Sequence, residues 1–273
     1  MWKMVVSLIT CVLLLYGCSY GVGDDFLPQE EAVPIRMAIE EGNLPTRAPV
    51  ITIDASNLSS VGVYGVRESS TVGQFPWTAT PFASNLAPSA ISGNQISFSP
   101  VIYYPLGGKR VTFYGYYPRT TATSGANYMT PPSAGVAPVY NFTLTGAEDV
   151  MYAVSAPSSS INPSAALTFN HKLIQLQLNI SLLGALSSIK LVGVPNQGAL
   201  NLGTGNVTYN SSVADIPLTV PLLSSTTTPV MVPAGTASFK VEVVLLLSLL
   251  KSTYLIKPTT TTFQPGIIYT ITL

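Results

Sequence analysis

The sequence predicts an all-β protein built from two β-sandwich domains, and three observations carry that prediction. Thr, Val, Ile, Tyr and Ser recur in short stretches where apolar and polar residues alternate, the period of a strand with one buried face. Twenty-one glycines and 22 prolines punctuate those stretches, and long runs of good helix formers are missing. Hydrophobic residues make up 47% and charged residues only 9%, a balance that supplies cores and argues against disorder.

The chain opens with Met1-Trp2-Lys3, one positive charge, and continues from Met4 to Tyr16 without a charged residue. That pattern reads as a signal peptide over residues 1–17, too short to span a bilayer as a mature helix. Leu15-Tyr16-Gly17-Cys18 resembles the bacterial lipobox, in which an apolar residue, a spacer and a small residue precede the cysteine. On that reading Cys11 leaves with the signal peptide and Cys18 carries a diacylglyceryl thioether and an acylated amine. No cysteine then remains for a disulfide. Acyl chains at about 0.8 kcal/mol per buried methylene hold a protein on a membrane without crossing it. The competing reading makes Cys18 a leftover cysteine of an ordinary secreted protein.

Residues 18–47 form an acidic leader. Six acids (Asp24, Asp25, Glu30, Glu31, Glu40, Glu41) stand against Arg36 and Arg47, a net of −4, whereas from Ala48 onward six acids meet nine bases, a net of +3. That positive charge is too dilute for a nucleic-acid surface, and no basic stripe with interleaved aromatics accompanies it. Within the leader, Ala32 to Glu40 (AVPIRMAIE) alternates as a strand does, with Val33, Ile35, Met37 and Ile39 on one face. Gly42, Asn43 and Pro45 make the next segment a loop, which presents Arg47 followed by Ala48. A trypsin-like protease needs an extended Arg or Lys not followed directly by Pro, and Arg47-Ala48 meets that need. Arg36 is a poorer site because it lies inside the strand. The plainer reading leaves Arg47 as a solvated loop residue.

The body divides into an N-terminal sandwich over residues 48–155, a linker over 156–163 and a C-terminal sandwich over 164–273. Strands are expected in the first at Val50–Ile53, Val61–Val66, Ile96–Phe98, Val111–Tyr117 and Val150–Val154. The linker is polar, carries two prolines and lies between apolar runs. In the second sandwich strands are expected at Ala166–Phe169, Leu173–Ile180, Ile189–Val194, Val207–Tyr209, Pro229–Val232, Phe239–Leu250, Tyr254–Ile256 and Ile267–Leu273. Val243–Leu250 (VVLLLSLL) is too short for a membrane span and reads as a strand buried on both faces.

After the lipobox, the order VGVYGV, YYP (Tyr103–Pro105), VTFYGYYP (Val111–Pro118), EDVMYA (Glu148–Ala153), LTFNHKLIQLQLNI (Leu167–Ile180) and FQPGIIYTITL (Phe263–Leu273) resembles the fimbrillin family, the lipoprotein-derived type V pilins with their anchor and tip relatives. The resemblance implies two tandem transthyretin-like, Greek-key β-sandwiches in a pilus subunit or accessory component for cell adhesion. It implies export to the outer membrane with a lipid anchor, and an arginine-specific cut in the loop after the first strand. The groove left behind would take a strand from another fimbrial subunit, which is strand addition at a sheet edge. Carried onto this chain, Ala32–Glu40 is the displaced strand and Arg47-Ala48 the cut. The implied partners are other fimbrial subunits, the outer membrane, and a host or bacterial surface receptor. An anchor subunit that keeps its lipid is an alternative within the same resemblance.

Enzymatic readings find little support. The single histidine, His171, would have to carry any triad, with Asp149 or Asp215 as the acid, and no nucleophile elbow is present. A metal site and a cofactor are not expected. Glu148 and Asp149 are adjacent, so on a strand they point to opposite faces and cannot flank one bond. Gly203–Asn206 (GTGN) lacks the lysine of a phosphate loop and reads as a hairpin turn. The aromatics Tyr103, Tyr104, Phe113, Tyr114, Tyr116 and Tyr117 read as core and sheet cover. As a carbohydrate-stacking platform they would instead make a glycan-binding surface lipoprotein that never polymerises.

Overall fold

The computed structural model describes residues 31–42, 53–181, 186–221, 224–245 and 251–273. Cys18, Arg47 and Ala48 lie outside the described residues, as do Val50–Thr52 and Leu246–Leu250 of the expected strands. Ala32–Leu273 forms one compact unit, so residues 32–42 of the leader belong with the body. Its described strands begin with β1 (Met37–Glu41), β2 (Gly62–Arg67), β3 (Ala83–Leu86), β4 (Ala90–Ser92), β5 (Gln95–Ser97), β6 (Val111–Tyr117) and β7 (Tyr128–Thr130). They continue with β8 (Val139–Thr143), β9 (Met151–Val154), β10 (Ala165–His171), β11 (Leu173–Asn179), β12 (Leu186–Pro195) and β13 (Gln197–Asn201). The last are β14 (Val207–Tyr209), β15 (Val213–Leu218), β16 (Val230–Pro233), β17 (Phe239–Leu245), β18 (Lys251–Ile256) and β19 (Ile268–Thr272). The expected all-β sandwich architecture is the one observed.

Among the described residues four sheets enclose three apolar cores. The largest sheet runs β3-β2-β6-β9-β10-β1-β5-β4. Val63, Phe113, Met151 and Leu167 from its middle share one core with Met37 and Ile96 from nearer its end, so the sheet curls around its own contents. Alternate residues of the same strands, Tyr64, Val66, Tyr116 and Tyr152, face a second core. That explains why VGVYGV and VTFYGYY carry almost no polar face: both sides are covered. The second core is closed by the sheet β14-β13-β8-β7 through Met129, Tyr140, Phe142 and Leu200. The third core lies between β16-β11-β19 and β15-β12-β17-β18, where Ile174, Leu176 and Leu178 meet Ile189, Leu191 and Val241.

Several elements differ from the sequence expectation, and the differences have local causes. β3, β4, β7, β8 and β13 are short strands carrying Ser, Asn, Thr, Gln or Gly, residues that read as turns until a partner strand satisfies the backbone, and β15 carries Asp215 and Pro217, which disfavour a strand. Within residues 156–163, Ser158 and Ser159 are buried, while Ala156, Pro157, Ile161, Asn162 and Pro163 are exposed. Ser158 is 1% exposed, exchanges backbone hydrogen bonds with Val111 and accepts one from the Tyr104 hydroxyl at 3.0 Å. Beyond that segment β10 pairs antiparallel with β9, so one sheet continues across it. Gly203–Asn206 does turn β13 into β14. The Asn201 side-chain oxygen accepts from the Gly203 N–H at 2.9 Å, and Gly205 adopts φ +70, a left-handed conformation glycine takes without strain.

Candidate functional site

The leader strand is the candidate site, and its place follows from its alternation. Ile35, Met37 and Ile39 are 2%, 0% and 7% exposed and join the first core, with Val33 packed against it. Arg36 and Glu40, one step out of phase, are exposed. Val33, Ile35, Met37 and Ile39 therefore share one apolar face, as their period-2 spacing predicts. Pro34, which has no N–H, costs the pairing nothing. Ile35 donates to the Ile102 carbonyl at 2.8 Å, and the Val33 carbonyl accepts from Tyr104 at 3.0 Å.

The strand has a neighbour on each side. β1 runs parallel to β10, with Met37 opposite Ala165, Ile39 opposite Leu167 and Glu41 opposite Phe169. On the other side it runs antiparallel to β5, with Met37 opposite Ile96. Ile39 donates to the Asn94 carbonyl at 2.7 Å, and Gly42 closes the strand by donating to Phe169 at 2.9 Å. On the outer face the Glu40 carboxylate accepts from the Thr168 hydroxyl at 3.2 Å. Beneath β10, Gly115 leaves room for the Phe169 ring: a Cβ there would lie 2.6 Å from it.

Burying three large apolar side chains contributes about 1.5–3 kcal/mol each, or roughly 5–9 kcal/mol together. That rivals the whole stability of a typical domain, about 5–15 kcal/mol. Removing β1 would leave two unpaired edges, β10 and β5, with an apolar slot between them. The β4–β5 hairpin would also lose the strand that joins it to the rest of the sheet, because the order there is β10-β1-β5-β4. A slot of this kind accepts another alternating strand.

The remaining sequence candidates have structural partners. His171 Nδ1 lies 2.9 Å from Asp149 Oδ1, both buried, tying the end of β10 to the entrance of β9. Asp215 instead accepts from Lys190 at 2.7 Å and from the Gly193 N–H at 3.0 Å. Glu148 turns away from Asp149 and accepts from the backbone of Thr145 at 2.6 Å and of Gly146 at 3.1 Å. Burial pushes its carboxyl up, but these bonds and that of the Thr145 hydroxyl hold it below the usual carboxylate range. Among the described residues no three His, Cys, Asp or Glu side chains are grouped as metal ligands, and no helix is long and apolar enough to cross a membrane. Of the aromatics, Tyr104, Phe113 and Tyr116 are buried, Tyr114 packs on Trp77 with ring centres 4.9 Å apart, and Tyr103 is exposed. Apart from Tyr103 they pack into two cores instead of forming one platform.

Sequence reasoning found the alternation over Ala32–Glu40, of which the regular strand takes Met37 onward with an isolated bridge at Pro34, and missed its slot. Ile96, Leu167 and Phe169 line the slot from strands far along the chain, and only the alternation within β5 and β10 marks them as apolar-faced.

Residues 46–273 match the family model described as fimbrillin-like. Similar solved structures include a candidate cell-adhesion protein from Bacteroides uniformis, 20% identical with a TM-score of 0.55, covering 89% of this chain and 93% of that one. A candidate cell-adhesion protein from Bacteroides ovatus is 17% identical with a TM-score of 0.54, covering 89% and 92%. A fimbrial protein from Bacteroides vulgatus is 12% identical with a TM-score of 0.51, covering 88% and 95%. A search of curated proteins returned no match. The family match begins at residue 46, so the pairing of β1 rests on this chain's own geometry.

Proposed function

The chain belongs to the fimbrillin-like family, and on that premise we propose that it is a fimbrial subunit assembled by exchange of its leader strand for a strand of another subunit. Export as an outer-membrane lipoprotein through Cys18 and cleavage at Arg47-Ala48 complete the proposal, followed by adhesion as part of a fimbrium. The observation that supports it most is the position of β1. A segment that ends shortly before Arg47 fills the interior of a sheet with Ile35, Met37 and Ile39. One cut beyond it could release a piece whose loss creates a strand-shaped vacancy.

A second reading, an anchor that keeps its leader, is favoured by the same sheet. With β1 in place both neighbouring edges are satisfied, so an uncut chain offers no acceptor slot there. Intact mass and terminal-peptide analysis of the protein from cell surfaces, repeated on purified precursor treated with an arginine-specific protease, distinguishes the readings. A start at Ala48, with oligomer ladders after cleavage, is expected of a polymerising subunit. A lipidated start at Cys18 that resists cleavage and stays monomeric would sink the polymerising reading and leave the anchor.

A further inference from the structure

The sheet β14-β13-β8-β7 turns its apolar residues to the second core, and on its outer face lies a cleft of about 400 Å³, a size usual for small-ligand pockets. Strand register places Tyr128, Asn141, Ala199 and Thr208 in one row across all four strands. Thr143 and Gln197 face each other in the next row. The depression in the middle comes from Ala199. Its neighbour Gly198 turns inward, where a Cβ would lie 2.3 Å from the Phe142 ring, so the small Ala199 side chain is the one that faces the cleft.

Both rims are fixed before any ligand arrives. On one side the Thr143 hydroxyl donates to the Ala126 carbonyl at 3.0 Å, and the Thr143 N–H donates to the Asn127 side chain at 3.1 Å. On the other, the Asn210 amide donates to Gln197 Oε1 at 2.7 Å. A site held this way loses little ordering entropy on binding.

We infer that this cleft binds a neutral saccharide. Among the described residues lining it none is charged, and the contributing stretches 120–147 and 191–214 contain no Asp, Glu, Lys, Arg or His. Side-chain amides and hydroxyls both donate and accept, which matches sugar hydroxyls, and the Tyr128 ring offers a surface for the C–H face of a pyranose. The missing cations argue against phosphate, carboxylate or nucleic acid. The polar lining argues against an acyl chain. The inference is independent of strand exchange, which uses edges in another sheet.

The test is saturation-transfer NMR on the full chain with lactose, N,N′-diacetylchitobiose and mannobiose, and with 3′-sialyllactose and inorganic phosphate as charged controls. At least one neutral disaccharide should bind, neither charged control should compete better, and Ala199→Trp, which fills the cleft, should weaken binding by at least about tenfold. Asn141→Ala, a truncation on the outer face, should weaken the same sugar and covers the case in which Ala199→Trp lowers the unfolding midpoint. Binding by none of the neutral sugars, binding unchanged in a folded Ala199→Trp or Asn141→Ala variant, or tighter binding of phosphate would each overturn the inference.

Discussion

Glu68 shows how much a single ionised group can be fixed by neighbours distant in sequence. The Arg110 guanidinium donates to its carboxylate through two nitrogens, and the Gly73 N–H adds a third bond at 2.6 Å. The bond from Arg110 is the larger cause and that from Gly73 the next, and they hold the carboxyl at about 2. A carboxylate lowered on folding stabilises the native state fully above its unfolded value, about 4.3, and that contribution is lost as pH falls toward 2. Glu68→Gln should therefore flatten the dependence of the unfolding midpoint on pH between about 4.5 and 2. A slope in that window identical to that of the parent would refute the assignment. Gly115 offers a second test at this scale: Gly115→Ala pushes on the fully buried Phe169 ring and should cost about 1–3 kcal/mol in denaturant unfolding. Neither contact is legible in the sequence, because Arg110 lies 42 residues from Glu68 and its spacing implies no pairing. The charge deficit that makes such a pair conspicuous is legible.

At the scale of elements, the proposed exchange makes β1 a removable plug, and this gives a contrast between two forms of one protein. Met37→Ala in the uncut chain should lower stability by about 2–5 kcal/mol, because the side chain is fully buried among Ile96, Leu167 and Phe169. After cleavage and loss of the leader the same substitution should have no effect. An equal penalty in both forms would mean that the leader stays seated after the cut. The β4–β5 hairpin reports independently. Its amides, Ala90–Ser97, should exchange faster once β1 leaves, while β2 and β6 stay protected by their own pairing. Uniform protection before and after would show that the slot closes over. The leader's own strand could be read from AVPIRMAIE because alternation is a local property. Its parallel partner could not, since Glu40 meets Thr168 across 128 residues and nothing in either stretch encodes the other. Short polar strands such as β7 and β13 were illegible for a related reason: Asn, Gln, Gly and Thr become strand residues only where a neighbour completes the ladder.

At the scale of the whole molecule, the proposed exchange would open the first of three cores without dissolving the others. The third is enclosed by sheets that do not include β1, and the second takes its residues from β2, β6 and β9 of the largest sheet and none from β1. The all-β class and most apolar strands were legible because composition and period carry them, whereas the sharing of cores between distant strands was not. The separation of cores matters for assembly. On the proposed exchange a cut subunit has an empty slot that accepts a strand, whereas an uncut subunit has β1 seated between β10 and β5. If subunits join by a donated strand, an uncut chain can still donate, so it adds to one end of a growing polymer and stops it. Arg47→Ala supplies that chain. Arg36 offers no ready substitute, because the residues around it are held by the bonds from Ile35 to Ile102 and from Tyr104 to Val33. Mixed into cleaved protein in rising proportion, Arg47→Ala should shorten polymers in step with its fraction, measured by electron microscopy or ladder length on gels. A second substitution, Ile39→Asp, places an unpaired charge in the buried face of β1 and should loosen the plug. In the Arg47→Ala background it should partly restore acceptance, and so length, without any cut. Polymers of unchanged length at every ratio would mean that the filled slot does not govern growth, and strand exchange at β1 would fall with it.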